Sequence, residues 1–453
     1  MRTRHVGALF VMIAMTATSS GQVRDSLLVQ QVDSLKLQVV LLRQQLQTLR
    51  LETGAPSPAE EDMELLEERI DNRLRELENK IGAVSRAHAG TAFNPPITAF
   101  INAAARIDDR QVTDASGEAR IDDRPYLRSL ELDLRAPVDP YAEAVAVISF
   151  EDEAGTGFGA EPEEAYGVLK RLPILESAPL GMKVKVGKYR AAFGTNNRLH
   201  LHDMPWITRP LAVSHYLGTE HGDFFESGFS PVGVDFDFFL PSPVPASTLE
   251  INLDVVRAGE LGLAEGGGAT QPAYFGHLNW FKDWESEHFL TLGLSGYYEG
   301  TLPRTRLAGV DVTYKWRPSV GGAFRSFIAG GEVFFGDHRF QSGIDLDGDG
   351  VPDSFPVVQM NALGWFAYAQ YQLSWWLYAG IRYDSVKEPQ ATEVNQRSWS
   401  GFLSYYTTEF LRFRIGYEHR TDNIAGTRAL NTVEFEINFV FGSHPVEPYW
   451  VNR

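Results

Sequence analysis

Apolar and polar residues alternate along most of the chain from residue 97 onward. In the last such segment, Val433, Phe435, Ile437, Phe439 and Phe441 occupy every second position, and most residues between them are polar. A period of two is typical of a β-strand with one apolar and one polar face. The segments predicted as strands are 97–107, 125–135, 141–150, 164–172, 181–190, 227–240, 247–257, 273–282, 287–299, 305–317, 322–335, 358–372, 374–385, 396–407, 409–420 and 431–442. The pattern therefore predicts an all-β protein.

The connections between these segments are alternately short and long. Short connections lie at 137–140, 318–321, 373–374 and 407–409, and long ones at 108–124, 191–226, 258–272 and 336–357. Transmembrane barrels have short periplasmic turns and longer outer loops. Such a barrel must be closed, because bilayer hydrocarbon cannot satisfy a free strand edge. We therefore predict a transmembrane barrel of about 16 antiparallel strands over residues 91–442, with both termini in the periplasm and a tail at 443–453.

The first 90 residues follow a different pattern. Arg2 and Arg4 precede an apolar stretch and then small residues, which is typical of a secretion signal over residues 1–21. From residue 22 to 90, apolar side chains recur at steps of three and four, which predicts a periplasmic α-helical coiled coil of two helices split near residues 53–59. The helices either pack on each other as a hairpin or pair with helices of other protomers.

The chain carries 59 acidic and 41 basic side chains and no cysteine. The acidic excess argues against a nucleic-acid partner, because phosphate binding needs clustered lysine and arginine. The lack of cysteine excludes disulfides and thiolate metal sites. Together with the secretion signal, the barrel pattern predicts a protein embedded in the lipid of the outer membrane of a Gram-negative-type bacterium.

Two stretches of the barrel region resemble a known group of bacterial porins. Residues 128–150, with Leu-Arg-Ala-Pro-Val-Asp-Pro-Tyr at 134–141, look like the second hairpin of porin-like proteins similar to the phosphate-selective porin O/P group. Residues 185–194, followed by Asn197-Arg-Leu-His200, look like the fifth strand and loop of that group. The resemblance covers about residues 93–445 and implies a sixteen-stranded, trimeric, anion-conducting channel. The chain departs from many barrels in the residues that follow its last strand.

If the apolar positions face lipid, a set of charged positions faces the interior. The pore-lining candidates are Lys183, Lys185, Lys315, Arg317, Arg412, Arg414, Glu131, Asp133, Asp311, Glu434 and Glu436. Rings of one sign set the ion preference of a narrow pore. Nearly all of the net negative charge lies in residues 91–453, which weighs against the anion preference that the resemblance implies. Alternatively, the charges pair across the wall and stabilise a wet lumen.

The longest connection, about 191–226, is the third outer loop. In porins resembling this chain, that loop folds inward and narrows the channel. We therefore predict a constriction loop carrying Arg198, His200, His202, Asp203 and Arg209, in which the two arginines bind acidic residues of the wall. A second hypothesis is that His200, His202 and Asp203 bind zinc, since imidazole and carboxylate groups suit that ion.

The sixth outer loop has the spacing of a calcium-binding loop. Asp345, Asp347, Asp349 and Asp353 stand at positions 1, 3, 5 and 9, with a glycine at position 6 and the carbonyl of Val351 at position 7. Proline replaces the glutamate expected at position 12, so the loop looks more like a thrombospondin-repeat calcium loop. The sequence therefore predicts Ca²⁺ as a ligand of this loop.

The chain has no G-x-S-x-G elbow, no H-E-x-x-H motif and no phosphate loop, so we expect a protein that is not an enzyme. The pattern favours a homo-oligomeric porin through which small hydrophilic solutes or ions diffuse passively, narrowed by the third outer loop. The alternative is a non-conducting barrel whose coiled coil contacts peptidoglycan and tethers the outer membrane to the cell wall.

Overall fold

The computed structural model of the chain describes residues 95–451, with gaps at 111, 114–118, 122–123, 154–156, 171–177, 219–227, 260, 262–270, 285–286, 301–303, 319–323, 342–353, 390–392 and 443–449. The predicted secretion signal and coiled coil therefore lie outside the described residues, and so does the calcium loop predicted at 345–353.

Sixteen antiparallel strands form a closed barrel. They are β1 (Ile97–Asp108), β4 (Arg124–Pro137), β5 (Ala142–Glu153), β6 (Gly157–Leu169), β7 (Lys183–Lys188), β8 (Val232–Leu240), β9 (Ser247–Val256), β10 (Ala273–Trp284), β11 (His288–Glu299), β12 (Arg304–Trp316), β13 (Phe327–Gln341), β14 (Val357–Ser374), β15 (Leu377–Lys387), β16 (Asn395–Thr408), β17 (Leu411–Asp422) and β18 (Leu430–Gly442). Strands that follow one another in this list are neighbours in the sheet, and β18 pairs with β1 to close it. A separate hairpin of β2 (Val112–Thr113) and β3 (Ala119–Ile121) lies between β1 and β4 in the chain. The structure thus confirms the predicted closed barrel of sixteen strands.

Most strand boundaries agree with the sequence prediction to within a few residues, but those of β6, β8 and β13 differ more, and β8 begins at Val232 instead of residue 227. β6 begins at Gly157, whereas the prediction began at residue 164. Two glycines and a proline interrupt the alternation in that stretch. β13 continues to Gln341, although the apolar pattern ends at Phe335. In β6 and β13, pairing with a neighbouring strand extends the ladder beyond the residues that alternate.

The connections divide the barrel into two ends. At the short-turn end, residues 375–376 join β14 to β15, and residues 409–410 join β16 to β17. At the long-loop end, residues 189–231 join β7 to β8. The predicted alternation is incomplete, because residues 154–156 and 300–303 are short connections at the long-loop end.

The two faces of the wall differ in polarity. Outward-facing apolar side chains are exposed, among them Leu294 at 55% and Ile381 at 60%. Charged residues at inward positions, such as Glu131, Asp311 and Arg414, are buried. A continuous apolar outer surface is typical of a barrel surrounded by lipid. Among the described residues, no helix is both long and apolar enough to cross a membrane.

The main apolar core lies inside the barrel. The connection between β7 and β8, which we call the third-loop segment (residues 189–231), includes the short helix α1 (Leu211–Leu217). Its described apolar residues are buried against aromatic residues of the wall. Trp206, for example, lies with its ring centroid 4.8 Å from that of Tyr368 and 6.0 Å from that of Phe366. The barrel interior is therefore partly filled by its own longest connection.

Candidate channel interior

Arginines of the wall hold the third-loop segment inside the barrel. Their guanidinium groups donate hydrogen bonds to its backbone carbonyls: Arg128 to Ile207, Arg382 to Thr208, Arg412 to His202, and Arg414 to Met204 and Trp206. The Arg128 contact is 2.8 Å long, and the contacts of Arg382 with Thr208 and of Arg414 with Trp206 are 2.6 Å. This backbone segment is irregular, so its carbonyl groups lack the N–H donors that a regular helix or strand would supply. The guanidinium groups donate these hydrogen bonds instead.

Three of these arginines share one carboxylate. Glu436 on β18 is only 1% exposed and contacts Arg128, Arg412 and Arg414. Its Oε1 lies 3.0 Å from Nη2 of Arg412 and 2.7 Å from Nε of Arg414. Three guanidinium groups around one carboxylate leave an excess of positive charge, which the loop carbonyls partly offset. The arginine cluster and the docked loop therefore stabilise each other.

Acidic side chains of the wall bind the loop at other points. Oε1 of Glu332 on β13 accepts hydrogen bonds from the backbone N–H of Thr195 at 2.9 Å and of Asn196 at 2.7 Å. Asp384 on β15 accepts one from the N–H of Leu211, the first residue of α1, at 3.0 Å. The wall thus presents donors to loop carbonyls and acceptors to loop N–H groups. These charged side chains fix the loop in place.

Two histidines of the third-loop segment lie among three glutamates of the wall. Nδ1 of His200 is 2.9 Å from Oε2 of Glu163 and 3.2 Å from Oε2 of Glu131, and its Nε2 is 3.1 Å from Oε1 of Glu164. Nδ1 of His202 is 3.0 Å from Oε1 of Glu131. The two imidazole rings stack with centroids 5.5 Å apart. We call these five residues the histidine–glutamate cluster.

A β-bulge brings two consecutive glutamates into this cluster. Glu164 lies opposite Val147 of β5, but Pro162 lies opposite Ile148, so Glu163 is an extra residue in β6. Both glutamates are buried. Strict alternation would send one of them outward, so the sequence pattern gave no reason to select either.

The cluster is a buried group of opposite charges. Arg190 pairs with Glu163, with Nη2 2.7 Å from Oε2. Burial and the nearby Arg190 both act to lower the pKa of His200, but Glu163 and Glu131 outweigh them and hold that pKa well above its ordinary value. Burial also acts to lower the pKa of His202, and the charge of Glu131 outweighs it, so this pKa is raised too. Both shifts favour imidazolium groups that pair with the glutamates.

A tryptophan from the C-terminal tail also lies inside the barrel. Trp450 is 1% exposed, and its Nε1 donates a hydrogen bond of 2.6 Å to the carbonyl of Asp203. Its ring packs against Tyr378 and Tyr406, with centroid distances of 5.7 and 6.0 Å, and lies 5.8 Å from the guanidinium of Arg412. The sequence prediction treated residues 443–453 only as a periplasmic tail and missed this contact. Trp450 enters at the short-turn end and meets the loop that enters from the other end.

The structure divides the predicted pore-lining residues into two groups. The buried inward-facing group comprises Glu131, Asp311, Arg412, Arg414, Glu434 and Glu436. Lys183, Lys185, Lys315 and Asp133 are half-buried or exposed near the short-turn end. Lys185 lies 3.4 Å from Asp235. Arg317 is an exposed residue of the following turn and not a wall residue, because β12 ends at Trp316.

The predicted constriction residues lie inside the barrel, but the two arginines make other contacts than expected. Arg198 is exposed and donates to Oδ1 of Asn252 on β9 at 3.3 Å. Arg209 is buried and donates to Oδ1 of Asn197, within the loop itself, at 2.9 Å. Most contacts between the loop and charged wall residues therefore use charges of the wall and not of the loop arginines. Wall arginines donate to loop carbonyls, and wall carboxylates accept from loop N–H groups and pair with loop histidines.

The inner face of the barrel wall has two sectors, which differ in how far the third-loop segment and Trp450 cover them. The packed sector is the inner face of β13–β18, β1 and β4. Its residues contact residues 200–217 or Trp450, or, on β18, the arginines that bind the third-loop segment. The open sector is the short-turn half of β7–β12. Its inward-facing residues are half-buried, or exposed in the case of Lys183: Lys183, Lys185, Asp237, Glu250, Asn279, Thr291, Thr313 and Lys315. The open sector is therefore the part of the polar lining that the loop leaves accessible.

One group of side chains has the composition of a metal site. Glu131, His200 and His202 bring one ligand atom each to within 4.8 Å of one another. Asp203, the third residue of the zinc hypothesis, lies on the outer side of the cluster, with Oδ1 3.5 Å from Nε2 of His202.

No family model matches the chain. An uncharacterised protein of Aquifex aeolicus is 26% identical over 368 residues, which cover 71% of this chain and 70% of that protein. Among solved structures, the outer membrane channel DcaP of Acinetobacter baumannii is 12% identical with a TM-score of 0.46, over 77% of this chain and 97% of its own. An anion-selective porin from Comamonas acidovorans is 10% identical with a TM-score of 0.51, over 77% of this chain and 99% of its own. The last comparison shows that the chain shares the barrel fold of that porin.

Proposed function

We propose that the protein is an outer-membrane porin through which small hydrophilic solutes or ions diffuse passively. The observation that carries the proposal is a closed sixteen-stranded barrel with an apolar outer surface and an interior sector whose polar side chains the loop does not cover. Water-filled barrels conduct along such a polar lining. The proposed path runs past the third-loop segment, which narrows the lumen, and leaves through the open sector.

The charges of this path favour a weak preference for cations. Lys183, Lys185 and Lys315 lie at the short-turn end, with Asp237 and Glu250 among them. Deeper on the same strands lie three buried carboxylates: Asp235, Asp254 and Asp311. Asp254 and Asp311 accept hydrogen bonds from Tyr189 and Thr195 of the third-loop segment, and the exposed Arg198 adds a fourth cation beside Asn252. The five carboxylates therefore give only a small negative excess along the path, and the expected preference for cations is weak.

Recording from purified full-length protein in a planar bilayer tests the proposal. We expect discrete current steps, and in a salt gradient a reversal potential whose sign indicates cation preference. A protein that inserts into the bilayer but gives no current steps would contradict the porin function. A reversal potential of the opposite sign would contradict only the selectivity.

We further propose an outer-membrane location with the short-turn end and both termini in the periplasm, and assembly into a homotrimer. The apolar outer surface supports contact with lipid, and the resemblance to trimeric porins supports the oligomer. Protease accessibility of a tag added after Arg453, in intact and in permeabilised cells, tests the orientation. Chemical cross-linking in the membrane tests the trimer.

The third-loop segment and the C-terminal tail fill part of the barrel interior, which favours a second candidate function. In this function the barrel does not conduct and tethers the outer membrane to the cell wall. The third-loop segment and Trp450 meet inside the barrel, so loop and tail together obstruct the packed sector. In this role, residues 22–90 would contact peptidoglycan. Silent bilayers, together with co-sedimentation of the protein with isolated peptidoglycan that is lost when residues 22–90 are deleted, would favour the tether.

The sixth outer loop remains a proposed Ca²⁺ site through Asp345, Asp347, Asp349, Asp353 and the carbonyl of Val351. Its support is the spacing of oxygen ligands in the sequence. Millimolar calcium should raise the thermal unfolding temperature of the parent, and Asp347→Asn should remove that increase. No calcium effect on the parent would contradict this site.

A further inference from the structure

We propose that Glu131, His200 and His202 bind a divalent transition metal ion such as Zn²⁺ inside the barrel, with Glu163 as a fourth ligand. The site does not depend on whether the barrel conducts, because it is built from contacts between the wall and the docked loop.

The ligand atoms converge from two sides. Nδ1 of His202 lies 3.0 Å from one oxygen of Glu131, and Nδ1 of His200 lies 3.2 Å from the other and 2.9 Å from Oε2 of Glu163. In a tetrahedral zinc site, bonds of about 2.0–2.2 Å place neighbouring ligand atoms about 3.3–3.6 Å apart. These contacts are a few tenths of an ångström shorter, and one ligand atom each of Glu131, His200 and His202 lies within 4.8 Å of the others, so small side-chain movements would place them around one ion.

A buried nitrogen with poorly directed contacts points to the same position. Nδ1 of His200 has two carboxylate oxygens within 3.2 Å, but neither contact has the direction of a hydrogen bond. Buried polar atoms of proteins almost always have a partner, and an exception requires an explanation. A metal ion among these oxygens would give this nitrogen a partner.

The outer nitrogens of both histidines face carboxylates. Nε2 of His200 is 3.1 Å from Oε1 of Glu164, and Nε2 of His202 is 3.5 Å from Oδ1 of Asp203. Metal-binding histidines typically direct the ring nitrogen that is not a ligand toward a carboxylate, which fixes the tautomer and the ring orientation. Here both rings have the inner nitrogen toward the proposed ion and the outer nitrogen toward an acid. The ring of Phe100 stacks on His202 at 4.1 Å and holds it in place.

The imidazole and carboxylate ligands, and the net charge of the cluster, suit a divalent ion such as Zn²⁺. Two imidazoles with carboxylate oxygens are typical ligands of zinc. Glu131, Glu163 and Glu164 carry three negative charges, and Arg190 supplies one positive charge at 2.7 Å from Glu163. Without a metal, imidazolium forms of both histidines balance the remaining two negative charges. One divalent cation balances them equally with both imidazoles neutral, so metal binding would release protons from the histidines.

A bound ion would join the loop to the wall. Glu131 belongs to β4 and Glu163 to β6, whereas both histidines belong to the third-loop segment. The ion would therefore act as a clip that closes the loop onto the wall.

Cobalt titration of the full-length protein tests the site, because tetrahedral Co²⁺ has strong visible absorption and Co²⁺ in an all-oxygen octahedral site does not. Protein in detergent is treated with EDTA, dialysed and titrated with Co²⁺, and Zn²⁺ is then added to displace the cobalt. We expect one tetrahedral Co²⁺ per chain, displacement by one equivalent of Zn²⁺, and a higher unfolding temperature with Zn²⁺.

Variants separate this site from other histidines. His202→Gln and Glu131→Gln should weaken Zn²⁺ binding by at least 100-fold, and Glu164→Gln by about 10-fold, as is usual for a carboxylate behind a ligand. The matched control is His215→Gln, since His215 lies on the same loop and has a carboxylate of Glu388 at 3.0 Å but is not part of the cluster. This control should bind Zn²⁺ like the parent.

Absence of tetrahedral Co²⁺ in the EDTA-treated parent at about 100 µM metal would overturn the proposal, as would unchanged Zn²⁺ affinity in folded His202→Gln. If a ligand variant fails to fold, X-ray absorption of the Zn²⁺-loaded parent decides. Two imidazoles in the first coordination shell support the site, and none overturn it.

Discussion

The packed and open sectors share one barrel wall, yet their inward-facing residues have different surroundings. In the packed sector, charged residues such as Arg414 and Glu436 are buried and bound to the loop or to each other. In the open sector, Asp237 and Glu250 occupy equivalent inward positions but remain half-buried. The alternating pattern that selects inward positions is the same in both. What differs is whether the third-loop segment lies against them.

The comparison separates two roles of a charge in a barrel. A charge under the loop is a structural element, because it is desolvated and needs a partner. A charge in the open sector stays hydrated and acts on passing ions through its field. Changes to charges under the loop should therefore act mainly on stability, and changes to charges in the open sector mainly on selectivity.

Replacing Glu436 by Gln should give the largest loss of stability. The change removes the carboxylate shared by Arg128, Arg412 and Arg414 and leaves buried guanidinium groups without a counter-charge. Breaking a buried ion pair in this way costs about 3–5 kcal/mol. Urea unfolding in lipid vesicles, followed by tryptophan fluorescence, measures it. The matched control is Glu250→Gln in the open sector, expected to cost about 1 kcal/mol or less; equal losses would refute the distinction.

Replacing Trp450 by Ala should open the short-turn end of the packed sector. The ring fills the space between Tyr378 and Tyr406, and its Nε1 holds the loop through the carbonyl of Asp203. We expect a higher single-channel conductance and a loss of about 3 kcal/mol in unfolding free energy. Trp399→Ala is the control, since that side chain faces outward and is 58% exposed. Unchanged conductance in Trp450→Ala would show that the tail does not obstruct the path.

Replacing Arg209 by Ala should loosen the loop with a smaller effect. Arg209 donates to Oδ1 of Asn197, whose amide group in turn donates to the carbonyls of Ala191 and Phe229 and so joins the two arms of the loop. Loss of this buried hydrogen bond should cost about 1–3 kcal/mol and raise conductance. Arg198→Ala, which removes an exposed side chain, should leave stability unchanged. Conductance equal to that of the parent in Arg209→Ala would count against a constriction by the loop.

Replacing Asp237 by Asn should have the smallest effect and act on selectivity alone. The side chain is half-buried in the open sector, so its loss should shift the reversal potential in a salt gradient away from cations without a change in stability. Glu143→Gln removes a charge of the same sign on β5, outside the open sector, that pairs with Lys170 just after β6, and should leave the reversal potential unchanged. A shift of equal size in both variants would mean that the open sector is not the path.

Much of the fold followed from local patterns, and little of the interior did. The sixteen strands were predictable because each repeats an alternation that lipid on one side and polar surroundings on the other impose on every strand separately. The bulge at Glu163 was not, because it breaks that period in a stretch interrupted by glycine and proline. The inward position of Trp450 was not predictable either, since no periodic pattern includes it. The secretion signal, the coiled coil and the calcium loop lie outside the described residues and stay predictions.

The sequence by itself determined the number of strands, the closed sheet, the inward or outward direction of most wall residues, and the loop that carries the histidines. Only the tertiary structure decided which inward charges are covered and which wall residue meets which loop residue. Glu131 meets His202 across 71 positions of sequence, and Arg128 meets Glu436 across 308. Alternation is a local property that each strand satisfies alone. Partners this far apart are set by closure of the barrel and docking of the loop, which bring distant charges together where burial makes pairing necessary.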